Sequence, residues 1–128
     1  MSYTTNTAAQ LSERELIEKT LTYYMEGGKH NDFEILKKAF HPTATMKFVA
    51  DTYTEVKALE FFKERMVKGT LIKRVNRIHD ISISGNAANA RIELEYPTFT
   101  YIDYMNLLKI DGEWKIVSKI FSKRFKEN

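Results

Sequence analysis

The chain of 128 residues contains no cysteine. This absence excludes disulfides, thiolate metal ligands and thiol nucleophiles, and it is typical of proteins in a reducing compartment. No apolar run approaches the roughly 20 residues that a membrane helix needs. The first ten residues, MSYTTNTAAQ, have neither the basic nor the apolar region of a signal peptide. We therefore predict a cytoplasmic protein with no membrane partner.

A strong excess of one charge is also lacking, because 20 Lys and Arg oppose 17 Asp and Glu for a formal net charge of +3. Basic residues are densest between Lys115 and Lys126. A nucleic-acid-binding surface would interleave such residues with aromatic side chains on one face. This cluster is better explained as a solvated strand end, and we expect no nucleic-acid partner.

Motifs for cofactor and metal binding are missing as well. There is no phosphate-binding loop, dinucleotide fingerprint or nucleophile elbow. The three histidines, His30, His41 and His79, lack the spacing of metal ligands. We predict no metal and no cofactor.

The beginning of the chain predicts a disordered tail followed by a helical hairpin. Residues 1–10 are polar and aperiodic, so a single domain over 11–128 is expected. Ser12-Glu13-Arg14-Glu15 is a capping box that predicts a helix start, and Gly27-Gly28 predicts its end. A second, short helix is expected to begin at Asn31 or Asp32.

The middle of the chain predicts one strand, a third helix and then only strands. The strand is expected from Thr45 to Ala50, and Thr54 is predicted to cap the helix that Gly69 ends. Turn residues then separate further alternating segments. The order α-α-β-α-β-β-β-β predicts an α+β fold with helices on one face of an antiparallel sheet.

The clearest local pattern is the hairpin from Tyr101 to Phe121, whose apolar runs meet at Asp111-Gly112. A two-residue turn would place Asp103 on the same face as Trp114. A three-residue loop would instead place Tyr104 there. We favour the second register because it separates polar and apolar side chains more cleanly.

Four short motifs, together with the order of elements, match a known superfamily. They are Phe40-His41-Pro42-Thr43-Ala44, Ile83-Ser84-Gly85-Asn86-Ala87-Ala88, Asp103-Tyr104 with Leu107-Leu108-Lys109, and Trp114-Lys115-Ile116-Val117 with Lys119. The chain resembles the nuclear-transport-factor-2-like (NTF2-like) superfamily, and within it the family named "putative lumazine-binding"; it is also similar to SnoaL-like polyketide cyclases. The resemblance implies a cystatin-like cone, in which a curved sheet wraps around helices and leaves an internal cavity. Proteins of this fold include isomerases, cyclases, dehydratases and binding modules, so function has to be argued from the site.

The favoured register predicts a small-molecule pocket. It places three hydrogen-bonding side chains, Tyr104, Asn106 and Ser118, among apolar walls, which is how such pockets are usually lined. The other predicted ligand-binding residues complete the wall or lie beside it: Phe48, Phe62, Met66, Trp114 and Arg77. We expect a small apolar or aromatic ligand. A filled core, with these polar groups bonded internally, is the alternative.

The opposite face of the hairpin predicts a homodimer. The same register turns Met105, Leu107, Val117 and Phe121 outward as an apolar patch, and the resemblance implies that a second copy covers it. Asp103 and Lys119 are expected to pair across the strands on that face, mainly for structure.

A catalytic role is the second hypothesis. Histidine transfers protons near neutral pH, and His79 alternates with apolar residues so that it could face inward beside Arg77. A cofactor-free isomerase or dehydratase using His79 as base would follow. The third hypothesis is a dimeric interaction module with a filled cavity.

Overall fold

We describe residues 11–127 from a computed structural model. The predicted tail, residues 1–10, lies outside the described residues. The described part of the chain contains helices α1 (Glu13–Lys29), α2 (Phe33–Leu36, continued by the 3₁₀ turn Lys37–Ala39) and α3 (Ala58–Arg65), and strands β1 (Phe40–Val49), β2 (Tyr53–Lys57), β3 (Val75–Ser84), β4 (Ala87–Glu95), β5 (Phe99–Ile110) and β6 (Glu113–Phe125). Within residues 11–127, no helix is long and apolar enough to cross a membrane.

Helix α1 begins where the capping box predicts. The Ser12 hydroxyl accepts a hydrogen bond from the Glu15 amide at 3.1 Å, and the Glu15 carboxylate accepts one from the Ser12 amide at 2.9 Å. Such a cap stabilises a helix by about 1 kcal/mol. The helix continues through Gly27-Gly28 to Lys29, so its predicted end was too early. Gly27 serves close packing instead, because a Cβ there would lie 2.6 Å from the backbone nitrogen of Leu36.

The prediction that Thr54 caps a helix was wrong. Thr54 lies in β2, which pairs antiparallel with β1. Exposed and half-buried residues alternate along β2, with the period of two that a strand requires. Helix α3 then runs only from Ala58 to Arg65, and its N-cap residue Lys57 makes no side-chain capping bond.

The six strands form one sheet in the order β2-β1-β6-β5-β4-β3, with only the β1–β6 pair parallel. Helix α1 reaches two distant strands of it. The Thr20 hydroxyl donates to the carbonyl of Trp114 in β6 at 2.9 Å, and the Asn76 amide in β3 donates to the Met25 carbonyl at 3.1 Å. Three strand spacings, about 14 Å, separate β3 from β6. The sheet must therefore bend around the helix, which gives the predicted cone.

The β5–β6 hairpin has the two-residue turn, so the register that we favoured was wrong. Ile110 pairs with Glu113, and both turn residues have positive φ, 49° at Asp111 and 84° at Gly112. Two left-handed residues define a type I′ turn, whose twist matches that of the flanking strands.

A second irregularity follows in β6. Leu107 pairs with Ile116 but Asn106 pairs with Ser118, so Val117 has no partner and forms a bulge. The bulge reverses the alternation of β6 beyond it, and Lys119 joins Ile116 on the face under the helices.

The core lies between α1 and this face of the sheet. Its fully buried side chains include Ile17, Leu21, Ile92, Met105, Leu107 and Ile116. Met105 and Leu107 were predicted to form an outward patch with Val117 and Phe121. That prediction was wrong, because the two-residue turn directs Met105 and Leu107 into the core, and the bulge in β6 leaves Val117 and Phe121 half-buried.

Candidate functional site

A cavity of about 230 Å³ lies between the helices and the sheet. Its wall combines aromatic rings with a few cationic and polar groups from α1, α3 and four strands. The lining residues include Tyr24, Phe62, Met66, Arg74, Tyr96, Tyr101 and Lys119.

Two predicted ligand-binding residues line this cavity. They are Phe62 of α3 and Met66, which follows that helix. Phe48 does not line it but stacks on Phe121 with ring centroids 4.7 Å apart, in an adjoining cleft. The part of these side chains in ligand binding stays a prediction.

The three predicted polar contacts, Tyr104, Asn106 and Ser118, lie on the opposite face of the sheet. Tyr104 is 41% exposed. The Asn106 amide donates to the Ser118 hydroxyl at 3.0 Å and accepts from the Asn89 amide at 3.0 Å, forming a ladder across three strands. Their predicted placement inside the cone was wrong, because the two-residue turn inverts Tyr104 and Asn106 on β5 and the bulge at Val117 turns Ser118 of β6 to the outer face.

Trp114 faces inward, as predicted, but it does not line the cavity. Its indole N–H donates to the Glu13 carboxylate at 2.9 Å, and Lys109 donates to the same carboxylate at 2.8 Å. These bonds lower the pKa of Glu13. The indole therefore secures the first turn of α1.

Arg77 and His79 also lie outside the cavity, so their predicted inward placement was wrong. The Arg77 guanidinium donates to Glu93 at 2.8 Å and to Glu95 at 2.7 Å. The His79 ring lies 3.3 Å from the Glu93 carboxylate. Arg77 pairs with Glu93 on the outer face, and His79 follows it two residues along the same strand, so both side chains point away from the cone.

Asp103 and Lys119 form a buried pair of opposite charge at the site. Asp103 is fully buried and Lys119 is 5% exposed, and their Oδ2 and Nζ atoms are 3.5 Å apart. The predicted pairing is confirmed, but the pair lies inside the cone and not on its outer face. The Tyr24 hydroxyl donates to the same Oδ2 at 2.9 Å, and Oδ1 has no hydrogen-bond partner among the described residues.

Burial brings the two charged groups closer to their neutral forms. Desolvation raises the pKa of Asp103, although Lys119 and the Tyr24 hydroxyl oppose the shift. Desolvation likewise lowers the pKa of Lys119, against the effect of Asp103. Burial and the nearby carboxylate keep the pKa of Tyr24 well above its usual value. The Asp103 carboxyl and the Lys119 amine are therefore the groups of this site that are suited to proton transfer.

Aromatic rings surround the Lys119 ammonium. Its Nζ lies 4.6 Å from the centroid of Phe121, 5.1 Å from Tyr24 and 5.3 Å from Phe62. The Met46 sulfur lies 3.4 Å away. Because Lys119 lines the cavity, its buried amine would be in reach of a bound molecule.

Arg74 contributes a second cation to the cavity wall. Its guanidinium donates to the Met25 carbonyl at 2.8 Å, the Tyr96 hydroxyl at 2.8 Å and the Asn76 side chain at 2.9 Å. The loop that carries Arg74 is tied to the helical hairpin, because the Asn31 amide donates to the Thr70 carbonyl at 2.7 Å. These contacts hold the arginine in one place.

Asp103 and Lys119 were recognised from the sequence as a pair, but not as part of a site. The two-residue turn alone would have placed Asp103 inward, and the bulge at Val117 then adds Lys119. The only sequence signal at Tyr24 is its place on the apolar face of α1, with Ile17 and Leu21. Arg74 has no local pattern, since it precedes β3 in a loop.

Within residues 11–127, no three His, Asp or Glu side chains come together in a way that could hold a metal ion.

Comparison with known proteins identifies the family. Residues 12–122 match the model of the family described as "Putative lumazine-binding". The chain belongs to this family, and its fold is the NTF2-like one. Solved structures of lower sequence identity share this fold, which is also called cystatin-like.

Three relatives illustrate the range of similarity. An NTF2-like protein of unknown function from Shewanella baltica is 30% identical, with a TM-score of 0.78 over 97% of this chain and 98% of its own. Another from Methylobacillus flagellatus is 29% identical, with a TM-score of 0.73 over 90% and 96%. The aldolase FrzH from a Cladobotryum species is 26% identical over 86% of this chain and 90% of its own.

Proposed function

We propose that the protein binds a small, largely aromatic or apolar molecule in the cavity between the helices and the sheet. The observation that carries this proposal is the cavity itself, about 230 Å³ in volume, with aromatic walls and a few cationic groups. Its size is slightly below the roughly 300 Å³ at which drug-sized ligand pockets begin. The ligand is therefore small, on the scale of one or two rings.

Family membership supports the same proposal, because the family description refers to ligand binding. The residues that we expect to contact the ligand are Tyr24, Phe62, Met66, Tyr101 and Lys119, all of which line the cavity.

A test of binding can use the protein as purified. Native mass spectrometry should detect a noncovalent adduct, or nuclear magnetic resonance (NMR) titration with small aromatic compounds should shift cavity amides. Met66→Trp would fill the cavity and should weaken binding, whereas Leu71→Trp, at a residue that is 64% exposed and does not line the cavity, serves as the matched control. Equal binding by both variants would contradict the proposal.

A second candidate function is a cofactor-free enzyme that removes a proton next to a carbonyl group. It is favoured by the pair of Lys119 and Asp103 at the cavity, whose pKa values are shifted towards the neutral forms. The relative named as an aldolase adds support, since aldol chemistry begins with such a proton transfer. In this proposal the pair keeps its own proton on Asp103, so the neutral Lys119 amine accepts the substrate proton and the enolate that forms is the counter-charge of the ammonium. Lys119 replaces His79 as the candidate base.

The enzyme proposal can be tested by hydrogen exchange in a simple ketone. The methyl protons of acetophenone should exchange with D₂O faster in the presence of the protein, as NMR would follow. Lys119→Met should remove the acceleration, whereas Lys123→Met, four residues along β6 and exposed, should retain it. General acid–base groups contribute about 10²–10⁴-fold to rates. Exchange at the uncatalysed rate with the unmodified protein would refute this function.

Homodimerisation through the outer face of the sheet remains our proposal for the assembly, with different residues from those first expected. Tyr104, Leu108 and Ile120 are exposed there by 41%, 40% and 53%. An exposed apolar patch on a sheet is a typical interface, and a two-fold axis makes it self-complementary. Light scattering of the unmodified protein should give twice the mass of one chain, and the Ile120→Lys variant should give the mass of one chain. A single-chain mass for the unmodified protein at micromolar concentration would contradict it.

A further inference from the structure

The cavity has an arginine with no carboxylate beside it. Arg74 is 8% exposed, and its three hydrogen bonds go to a carbonyl, a hydroxyl and a side-chain amide, all of them neutral. No Asp or Glu of residues 11–127 lies within ion-pair distance of its guanidinium. A buried charge without a counter-charge is costly, because desolvation is not compensated by attraction.

The net charge of the interior can be counted without assigning protons. Among residues 11–127, the charged side chains at least nine-tenths buried are Arg74, Asp103 and Lys119. Asp103 and Lys119 together carry no net charge, whether they form an ion pair or a neutral acid and amine. Arg74 then leaves the interior with one uncompensated positive charge.

The guanidinium also retains hydrogen-bonding capacity. It has five N–H donors, and the bonds to Asn76, Tyr96 and Met25 use one each on Nε, Nη1 and Nη2. One N–H therefore remains on each terminal nitrogen. Arginine binds carboxylates through such pairs of N–H groups.

We propose that the ligand of this cavity is a monoanion, a small aromatic or apolar carboxylic acid whose carboxylate is bound by Arg74. The inference rests on the proposed function and specifies its ligand class. A single carboxylate matches the single excess charge, whereas a phosphate monoester, with about −1.5 to −2 at pH 7, exceeds it. The apolar part of the acid would contact the rings of Phe62 and Tyr101.

The test compares matched pairs of probes on the unmodified protein. The pairs are 1-naphthoate with 1-naphthamide, trans-cinnamate with cinnamamide, and indole-3-acetate with indole-3-acetamide. Binding is followed by ¹H–¹⁵N NMR at constant ionic strength. Because a hydrogen bond to a charged group discriminates strongly, at least one acid should bind about tenfold or more tightly than its amide.

Two variants assign the preference to its residue. Arg74→Gln should weaken binding of the acid about tenfold or more and leave the amide within about twofold. Arg77→Gln, the surface control, should change neither. Arg74→Lys keeps the charge and should retain part of the preference. The acid–amide comparison on the unmodified protein decides the inference even where Arg74→Gln fails to fold.

The remaining outcomes separate this inference from the proposed function. If acids and amides shift the cavity amides with equal affinity, the cavity binds ligands but the anion inference is wrong. If none of the six probes shifts any cavity amide, both the inference and the proposed function are refuted.

Discussion

The buried pair of Asp103 and Lys119 predicts two single variants with opposite pH dependence. In the range around neutral pH, we expect the pair in the unmodified protein to hold one proton, and the unfolded chain also holds one, on lysine. The pair therefore adds no pH dependence to the free energy of unfolding in this range. Removing either member breaks that balance.

Asp103→Asn leaves Lys119 buried without its counter-charge, so the folded state favours the neutral amine. Removing the proton at pH 7 from a lysine of ordinary pKa about 10.4 costs up to about 5 kcal/mol, and at pH 9 about 2 kcal/mol. Stability should thus rise with pH, because the unfolded state binds the extra proton. Since small domains are stable by about 5–15 kcal/mol, this variant should be marginal at pH 7.

Lys119→Met leaves Asp103 buried, so the folded state favours the protonated acid. Adding that proton at pH 7 to a carboxylate of ordinary pKa about 3.9 costs up to about 4 kcal/mol, and at pH 5 about 1.5 kcal/mol. Here the folded state binds the extra proton, so stability should rise as the pH falls. The double variant removes both charges and should lose less than the sum of the two single variants.

Urea unfolding between pH 5 and 9 measures all three variants. The single tryptophan, Trp114, is 3% exposed and reports unfolding by fluorescence. As the pH rises from 5 to 9, the free energy of unfolding of Asp103→Asn should increase relative to that of the unmodified protein. That of Lys119→Met should decrease. Parallel pH profiles for the two single variants would refute the assignment of a coupled buried pair.

Three further predictions concern the scaffold. Gly27→Ala should destabilise the protein by about 1–3 kcal/mol in urea unfolding, despite the better helix propensity of alanine, because the new Cβ would lie 2.6 Å from the Leu36 nitrogen; a gain in stability would contradict that packing. Gly112→Ala should cost about 1–2 kcal/mol because φ there is 84°, and an unchanged urea midpoint would argue against the type I′ turn. The Glu95 carboxylate should titrate by NMR with a pKa of about 2, mainly because Lys126 donates to it; a pKa that does not rise in Lys126→Gln would remove that cause.

The fold could be predicted from the sequence because its signals are local. A capping box starts α1 and turn residues separate the strands, so the order of elements follows with little ambiguity. The exception is β2, which was taken for the beginning of α3. Tyr53–Lys57 is short, and its strand form depends on pairing with β1, which lies outside any local window.

The candidate site could be predicted only in part because it depends on register. A shift of one residue exchanges the two faces of a strand, and the hairpin contains two features that set the faces, the turn at Asp111-Gly112 and the bulge at Val117. The first is signalled by its residues, although the wrong alternative was favoured. The bulge has no local signal, because it is defined by the pairing of β6 with β5 and not by the residues around Val117 alone. Phe62 and Met66 were placed correctly in the cavity. Their orientation was predicted from a helical pattern, which does not depend on the register of strand pairing.

The charged side chains buried in the interior are better explained by function than by stability. Well-packed apolar residues of similar volume are often as stabilising as a buried ion pair, or more so. The fold nevertheless places Asp103, Lys119 and Arg74 within the cone, and it leaves one carboxylate oxygen without a partner among the described residues. Asp103 already neutralises Lys119, so the second cation, Arg74, has hydrogen bonds but no buried counter-charge of its own. A carboxylate ligand would bring the counter-charge that Arg74 lacks, while Asp103 and Lys119 would remain paired with each other.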